Sequence, residues 1–176
     1  MPIDNELGRA GQYRFGGLFY DEFLPNLQGQ RGVRAYQEMS ENDDVVGAVL
    51  FGIKMLIRQV DWLVQAGGDS EADKQAADFV NSCMHDMQSS WTDTISEILS
   101  FLTYGWSVHE IVYKRRMGRN KNPVLNSKHD DGLIGWRKLP IRGQDTLYQW
   151  EYDENDELTG MTQNPAPSYK LITIPI

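Results

Sequence analysis

The chain has a single cysteine, Cys83, among 176 residues, which rules out an intramolecular disulfide and fits a reducing cytoplasm. It lacks an excess of positive charge: 25 Asp and Glu against 17 Lys and Arg give a formal net charge of −8. A compact sequence-specific nucleic-acid binder is ordinarily basic, because neutralised phosphates supply much of its affinity. That class is disfavoured, although an acidic chain can lie beside DNA without gripping it. Long hydrophobic runs are missing too. The longest, residues 45–57, is interrupted by Gly47, Gly52 and Lys54 and bounded by Arg58, so it cannot span a bilayer. The start, Met1-Pro2-Ile3-Asp4-Asn5-Glu6, has neither the basic nor the apolar region of a signal peptide. The expectation is a soluble, intracellular protein with no membrane partner.

Recognisable catalytic patterns are equally scarce. His85, His109 and His129 have no second His or Cys at zinc-ligand spacing. His85-Asp86 on a helix reads as a solvated polar face. Cys83 falls on an apolar helical face and reads as a buried, inert thiol. No phosphate-cradling G-x-x-x-x-G-K-[ST] loop is present, and Gly11, Gly16 and Gly17 lack a strand-to-helix setting. The acidic pair Asp43-Asp44 suits a helix start, and Asp130-Asp131 and Asp153-Glu154 suit turns. A metal-dependent nuclease built on such pairs is the enzymatic alternative, but no D-x-D or E-x-K pairing lies on consecutive strands. The residues therefore point to no enzyme, no metal and no cofactor.

What is present indicates a folded domain: 40% hydrophobic residues and five tryptophans. Residues 1–30 show no clear period but carry Tyr13, Phe15, Phe19, Tyr20 and Phe23. Five aromatics are costly on a free tail, so this stretch reads as an arm contacting the body or a neighbouring subunit, with a loose terminus as the plainer alternative. Residues 1–35 are assigned to that partly extended arm and 36–176 to an α+β body. Asn42 is the expected cap of a first helix, whose face runs Val46, Val49, Leu50, Ile53, Leu56, Ile57 and Val60. A short strand is expected at 61–66, before Gly67-Gly68. A second helix capped by Ser70 would bury Ala72, Ala76, Phe79, Val80, Cys83, Met84 and Met87. A third starts near Ser90 and ends at Gly105. Strands follow at 106–116, 133–141, 145–152, 158–162 and 169–174, separated by polar turns at 118–132 and 153–157. Three N-terminal helices with an interposed strand, then antiparallel strands and hairpins, make an α+β domain.

The cluster Lys114, Arg115, Arg116, Arg119, Lys121 and Lys128 flanks an expected hairpin loop. It suits either contact with a phosphate backbone or an acidic neighbour, or a solvated, edge-protecting tip. Glu110 lies inside a strand between Val108 and Val112, where a carboxylate is expected to pair with a cation or face a subunit boundary. The chain stops at Ile174-Pro175-Ile176 directly after an apolar strand, so a longer parent protein is expected.

An ordered series of segments resembles bacteriophage portal proteins. Residues 91–114 contain Ile98-Leu99-Ser100-Phe101-Leu102-Thr103-Tyr104-Gly105-Trp106-Ser107-Val108-His109-Glu110-Ile111-Val112-Tyr113-Lys114, a helix ending in an aromatic–Gly–aromatic turn before a Glu-bearing strand. Upstream, Tyr36-Gln37-Glu38-Met39, Asn42-Asp43-Asp44-Val45-Val46 and the Asp61-Trp62 after the first helix are similar to that family's opening. Downstream, Trp136-Arg137-Lys138-Leu139-Pro140-Ile141-Arg142 and the hairpin from Trp150-Glu151-Tyr152-Asp153 to Leu158-Thr159-Gly160-Met161-Thr162-Gln163 are similar to its next segment. The resemblance spans roughly residues 18–176, although portal subunits are several hundred residues long.

The resemblance implies a portal wing-like domain of a structural subunit, with stem, clip and crown lying elsewhere. It implies a homo-oligomeric ring, usually dodecameric, at the capsid vertex of the virion, assembled in the host cytoplasm. Double-stranded DNA would pass through it non-specifically in packaging and ejection. The implied partners are other copies of the chain, the major capsid protein, terminase, and neck or adaptor proteins. A different capsid, neck or adaptor subunit is the alternative of the same structural kind.

Overall fold

A computed structural model of the protein describes Gly11 and residues 14–19 and 22–176. These residues form two units that interleave in sequence: the described residues up to Asp43 join Gly143–Ile176, and Asp44–Arg142 form the other. After a short hairpin near the start, helices precede the longer strands and hairpins, an α+β arrangement.

In the first unit, β1 (Arg14–Phe15) and β2 (Leu18–Phe19) make a small hairpin, followed by a 3-10 turn at Pro25–Leu27 and helix α1 (Gly29–Asn42). The sequence expectation had no helix at this position. Its start depends on a missing side chain, since a Cβ on Gly32 would lie 2.2 Å from the Leu27 carbonyl oxygen. Asn42 consequently ends α1 instead of capping the next helix, and the Asp43 N–H donates back to Met39.

The second unit opens with α2 (Asp44–Arg58), which has Asp44 in its first turn and Arg58 in its last, as the helix dipole favours. No residue of α2 is buried, and Val49, Ile53, Leu56 and Val60 of the expected inner face are exposed. The strand expected at 61–66 does not form; the segment is irregular, and Trp62 and Leu63 are exposed. Helix α3 (Glu71–His85) starts where expected, with Ser70 Oγ accepting from the Asp73 N–H at 3.2 Å. Only its C-terminal half is packed: Cys83 and Met84 are buried, whereas Ala72, Ala76 and Val80 are exposed. Ser90 caps α4 (Trp91–Ile98) in the same way, at 3.1 Å. A one-turn helix α5 (Phe101–Tyr104) then closes on Gly105, whose φ of 82° is left-handed. Ile95 and Leu99 join Cys83 and Met84 in the apolar core of this unit.

The strand expected at 106–116 is two, β3 (Val108–His109) and β4 (Val112–Met117). Strand β4 pairs antiparallel with β5 (Asp130–Lys138) across the polar loop, and β3 pairs with β6 (Ile141–Arg142). Back in the first unit, β7 (Leu147–Tyr152), β8 (Leu158–Gln163) and β9 (Ile172–Pro175) make an antiparallel sheet with β8 in the centre. The central position buries Met161 completely, together with Thr162 and Gln163. The Asp153 side chain shapes the β7–β8 turn by accepting from the Asn155 and Glu157 N–H groups at 2.8 and 2.9 Å.

Candidate functional site

The expected basic cluster lies on the β4–β5 hairpin, and period two divides it. Val112, Lys114 and Arg116 share the inward face of β4, where Lys114 and Arg116 are only 5% and 3% exposed; Tyr113, Arg115 and Met117 point outward. Arg119, Lys121 and Lys128 are exposed on the connecting loop.

Buried cations require neutralising partners. Lys114 Nζ lies 3.0 Å from the Asp86 carboxylate and also donates to the Asp86 and Asn126 carbonyls at 2.5 and 2.7 Å. The same carboxylate accepts from Ser127 Oγ at 2.6 Å and from the Lys128 N–H at 2.7 Å. Burial alone would raise the Asp86 pKa, but the Lys128 N–H, the Ser127 hydroxyl and the Lys114 ammonium outweigh it and hold the group below its ordinary value of 3.8. One carboxylate thus fastens the end of α3, strand β4 and the far side of the loop together. Asp86 therefore does not belong to a solvated polar face, as the sequence suggested; only 4% of it is exposed.

Arg116 is enclosed by four groups. It donates to Ser82 Oγ at 2.7 Å, pairs with Asp131 at 2.6 Å, stacks its guanidinium 5.0 Å from the Phe79 ring centroid, and lies 3.8 Å from Cys83 Sγ. Gly135 on β5 makes room for it, since a Cβ there would stand 2.9 Å from Arg116 Cδ. Asp131, half of the pair weighed as a nuclease carboxylate, is occupied in this ion pair. Among the described residues no group of three or more His, Cys, Asp or Glu side chains is placed to hold a metal ion.

Glu110 pairs with Arg142, its N–H donates to the Pro140 carbonyl at 3.2 Å, and His109 Nδ1 lies 2.8 Å from the Leu139 carbonyl, so strand β3 is fastened to the 139–142 segment. Of the arm aromatics, Tyr13 and Tyr20 lie outside the described residues. Phe19 meets Tyr152 edge to face at 6.3 Å, and the Trp150 N–H donates to the Gly17 carbonyl at 2.9 Å. Phe15 and Phe23 are 78% and 91% exposed.

The sequence reading had Lys114 and Arg116 in a basic cluster flanking the loop and missed their partners Asp86, Ser82 and Asn126. The available signal was the alternation Val112-x-Lys114-x-Arg116, which puts both cations on the apolar side of a strand. Asp86 and Ser82 come from 28 and 34 residues upstream, beyond the reach of any local pattern.

The family model of the portal protein of Mu bacteriophage matches residues 33–175. The chain belongs to this portal protein family. The match runs through both units and includes the whole β4–β5 hairpin. No curated protein matches the chain. Among the described residues, no helix is long and apolar enough to cross a membrane.

Proposed function

We propose that the chain is the wing-like N-terminal part of a portal subunit, which assembles with other copies into a ring at the capsid vertex. The ring passes double-stranded DNA in packaging and ejection and docks terminase and the neck proteins. In this role it is structural and has no catalytic residues. The family match over 33–175 carries the reading. Two physical features support it. Val45, Phe51, Leu56 and Leu63 are 65–88% exposed on α2 and just beyond it, the kind of apolar surface that marks an interaction face. The net charge of −8 also suits a conduit, because each phosphate gripped adds salt-dependent affinity that a sliding duplex must break.

Single-particle imaging of the full chain, together with its mass in solution, tests the reading. The expected result is a closed ring with a central hole wide enough for a DNA duplex. A monodisperse monomer of the full-length protein, with its stem, would overturn it.

A further inference from the structure

Two segments of this chain, β4 with its following loop and the β7–β8 hairpin, each carry charge of one sign, although β5 opens with Asp130 and Asp131. Residues 111–129 hold Lys114, Arg115, Arg116, Arg119, Lys121 and Lys128 and no Asp or Glu. Residues 143–169 hold Asp145, Glu151, Asp153, Glu154, Asp156 and Glu157 and no Lys or Arg. On the basic hairpin Lys114 and Arg116 are buried and committed to ion pairs, with buried Asp86 and with the exposed Asp131, which leaves Arg115, Arg119, Lys121 and Lys128 at the surface. On the acidic one Asp153, Glu154, Asp156 and Glu157 are exposed in the β7–β8 turn.

Both tips are braced. The basic loop is fixed by Asp86 through Ser127 and Lys128, by Asn126 Oδ1 accepting from the Asn120 N–H at 2.8 Å, and by Asn122 Oδ1 accepting from the Val124 N–H at 3.3 Å. The acidic turn is closed by the Asp153 side chain and by the Asp153 N–H donating to the Glu157 carbonyl at 3.0 Å. Charges held on fixed backbones lose less entropy on docking than charges on loose tails.

We infer that the exposed cations of the β4–β5 hairpin of one copy dock on the acidic β7–β8 turn of the next. The inference rests on the proposed assembly of the chain with copies of itself. Such a contact joins two different surfaces of the same chain head to tail, and it makes a ring where the rotation from copy to copy closes. Duplex DNA is the competing polyanion. Outside residues 111–129, 11 Lys and Arg stand against 25 Asp and Glu, a net charge of −14 that repels a phosphate backbone and attracts a basic tip. Four exposed cations on one hairpin stand against four exposed carboxylates on the other, with Asp130 the exposed carboxylate at the end of the basic loop.

The test uses two charge-reversed forms of the full chain: Arg115→Glu/Arg119→Glu/Lys121→Glu, and Glu154→Lys/Glu157→Lys. None of these side chains takes part in the buried networks, and Asp153 is left to hold its turn. Each form alone is expected to self-associate about tenfold more weakly than the parent at low salt, the scale of a few exposed ion pairs. An equimolar mixture should regain association, because each form then presents what the other lacks. The differences should vanish near 1 M salt, where the Debye length is about 3 Å. The neutral set Arg115→Gln/Arg119→Gln/Lys121→Gln should give a smaller loss in the same direction.

Four outcomes would count against the inference. Assembly of the parent unaffected by either reversal would overturn it while leaving the assembly reading in place. A mixture that stays weak while a chain carrying both reversals recovers would put the contact within one chain. Loss of duplex-DNA retention in the basic-hairpin form, with self-association intact, would make DNA the occupant. Failure of the unaltered parent to assemble would refute the assembly reading itself.

Discussion

The hairpins β4–β5 (residues 112–138) and β7–β8 (residues 147–163) solve burial differently. β7–β8 has a third strand on one side, so its central strand is enclosed and buries Met161 beside neutral polar groups: Gln163 donates to Thr146 at 2.8 Å, and Thr162 shares a hydrogen bond with Thr173 at 2.7 Å. Among the described residues β4–β5 has no third strand. The end of α3 covers its inward face, and that face carries two cations neutralised by Asp86 and Asp131. A buried ion pair adds little net stability compared with apolar packing, but breaking one partner is costly, so such a network favours one arrangement over its alternatives. The two-stranded ribbon is thereby held to α3 and to its own loop by directional bonds, where the three-stranded sheet relies on a ladder.

The largest effect that separates the two is expected at Asp86. Asp86→Ala leaves the Lys114 ammonium buried without its counter-charge and should cost about 3–5 kcal/mol, read from denaturant unfolding. Replacing both partners, Asp86→Leu with Lys114→Met, should recover most of that loss, and a double variant as unstable as the single one would refute the ion-pair account. Next in size is Gly135→Ala, whose new Cβ must displace Arg116; about 1–3 kcal/mol is expected, with no counterpart at Gly132, around which space is open. The left-handed φ of Gly132 adds its own strain, so Gly132→Asn is the fair control.

A smaller loss, about 1 kcal/mol, is expected for Thr162→Val in the other hairpin, which removes the hydroxyl bonded to Glu151 and Thr173. The Thr162 and Gln149 hydrogen bonds hold the Glu151 carboxyl below its usual range, so the same variant should raise its pKa in an NMR titration.

Acid sharpens the contrast further. The folded-state pKa of Asp86 lies below its unfolded value, so its contribution is complete above the ordinary carboxylate range and is lost as pH falls through the depressed value. Unfolding measured between neutral pH and pH 2 should show an acid-sensitive limb, and Asp86→Asn should flatten it. The smallest effects belong to the helix caps: Ser70→Ala and Ser90→Ala should each cost about 1 kcal/mol, measured the same way.

Local chemistry made much of the fold readable. Ser70 and Ser90 satisfy orphaned N–H groups at helix starts, Gly105 takes the left-handed conformation that ends a helix, and the alternation across 147–152 before a polar turn anticipates β7 and β8. Helix α1 was not readable, because its glycines at 29 and 32 argue against a helix until the Leu27 carbonyl is seen to occupy the space beside Gly32. The segment 61–66 has the composition of a strand but no pairing partner within the described residues, and composition cannot supply one.

The sequence by itself determined the run of helices before the longer strands, the Ser70 and Ser90 caps, the polar turns, the one-signed charge of residues 111–129 and 143–169 and the likeness to portal proteins, all carried by neighbours a few residues apart. Tertiary structure alone decided that Asp86 and Asp131 receive Lys114 and Arg116, and that the beginning and end of the described chain fold into one unit. Each of those outcomes depends on groups distant in sequence, and the cost of burying an unpaired charge is what requires them to meet.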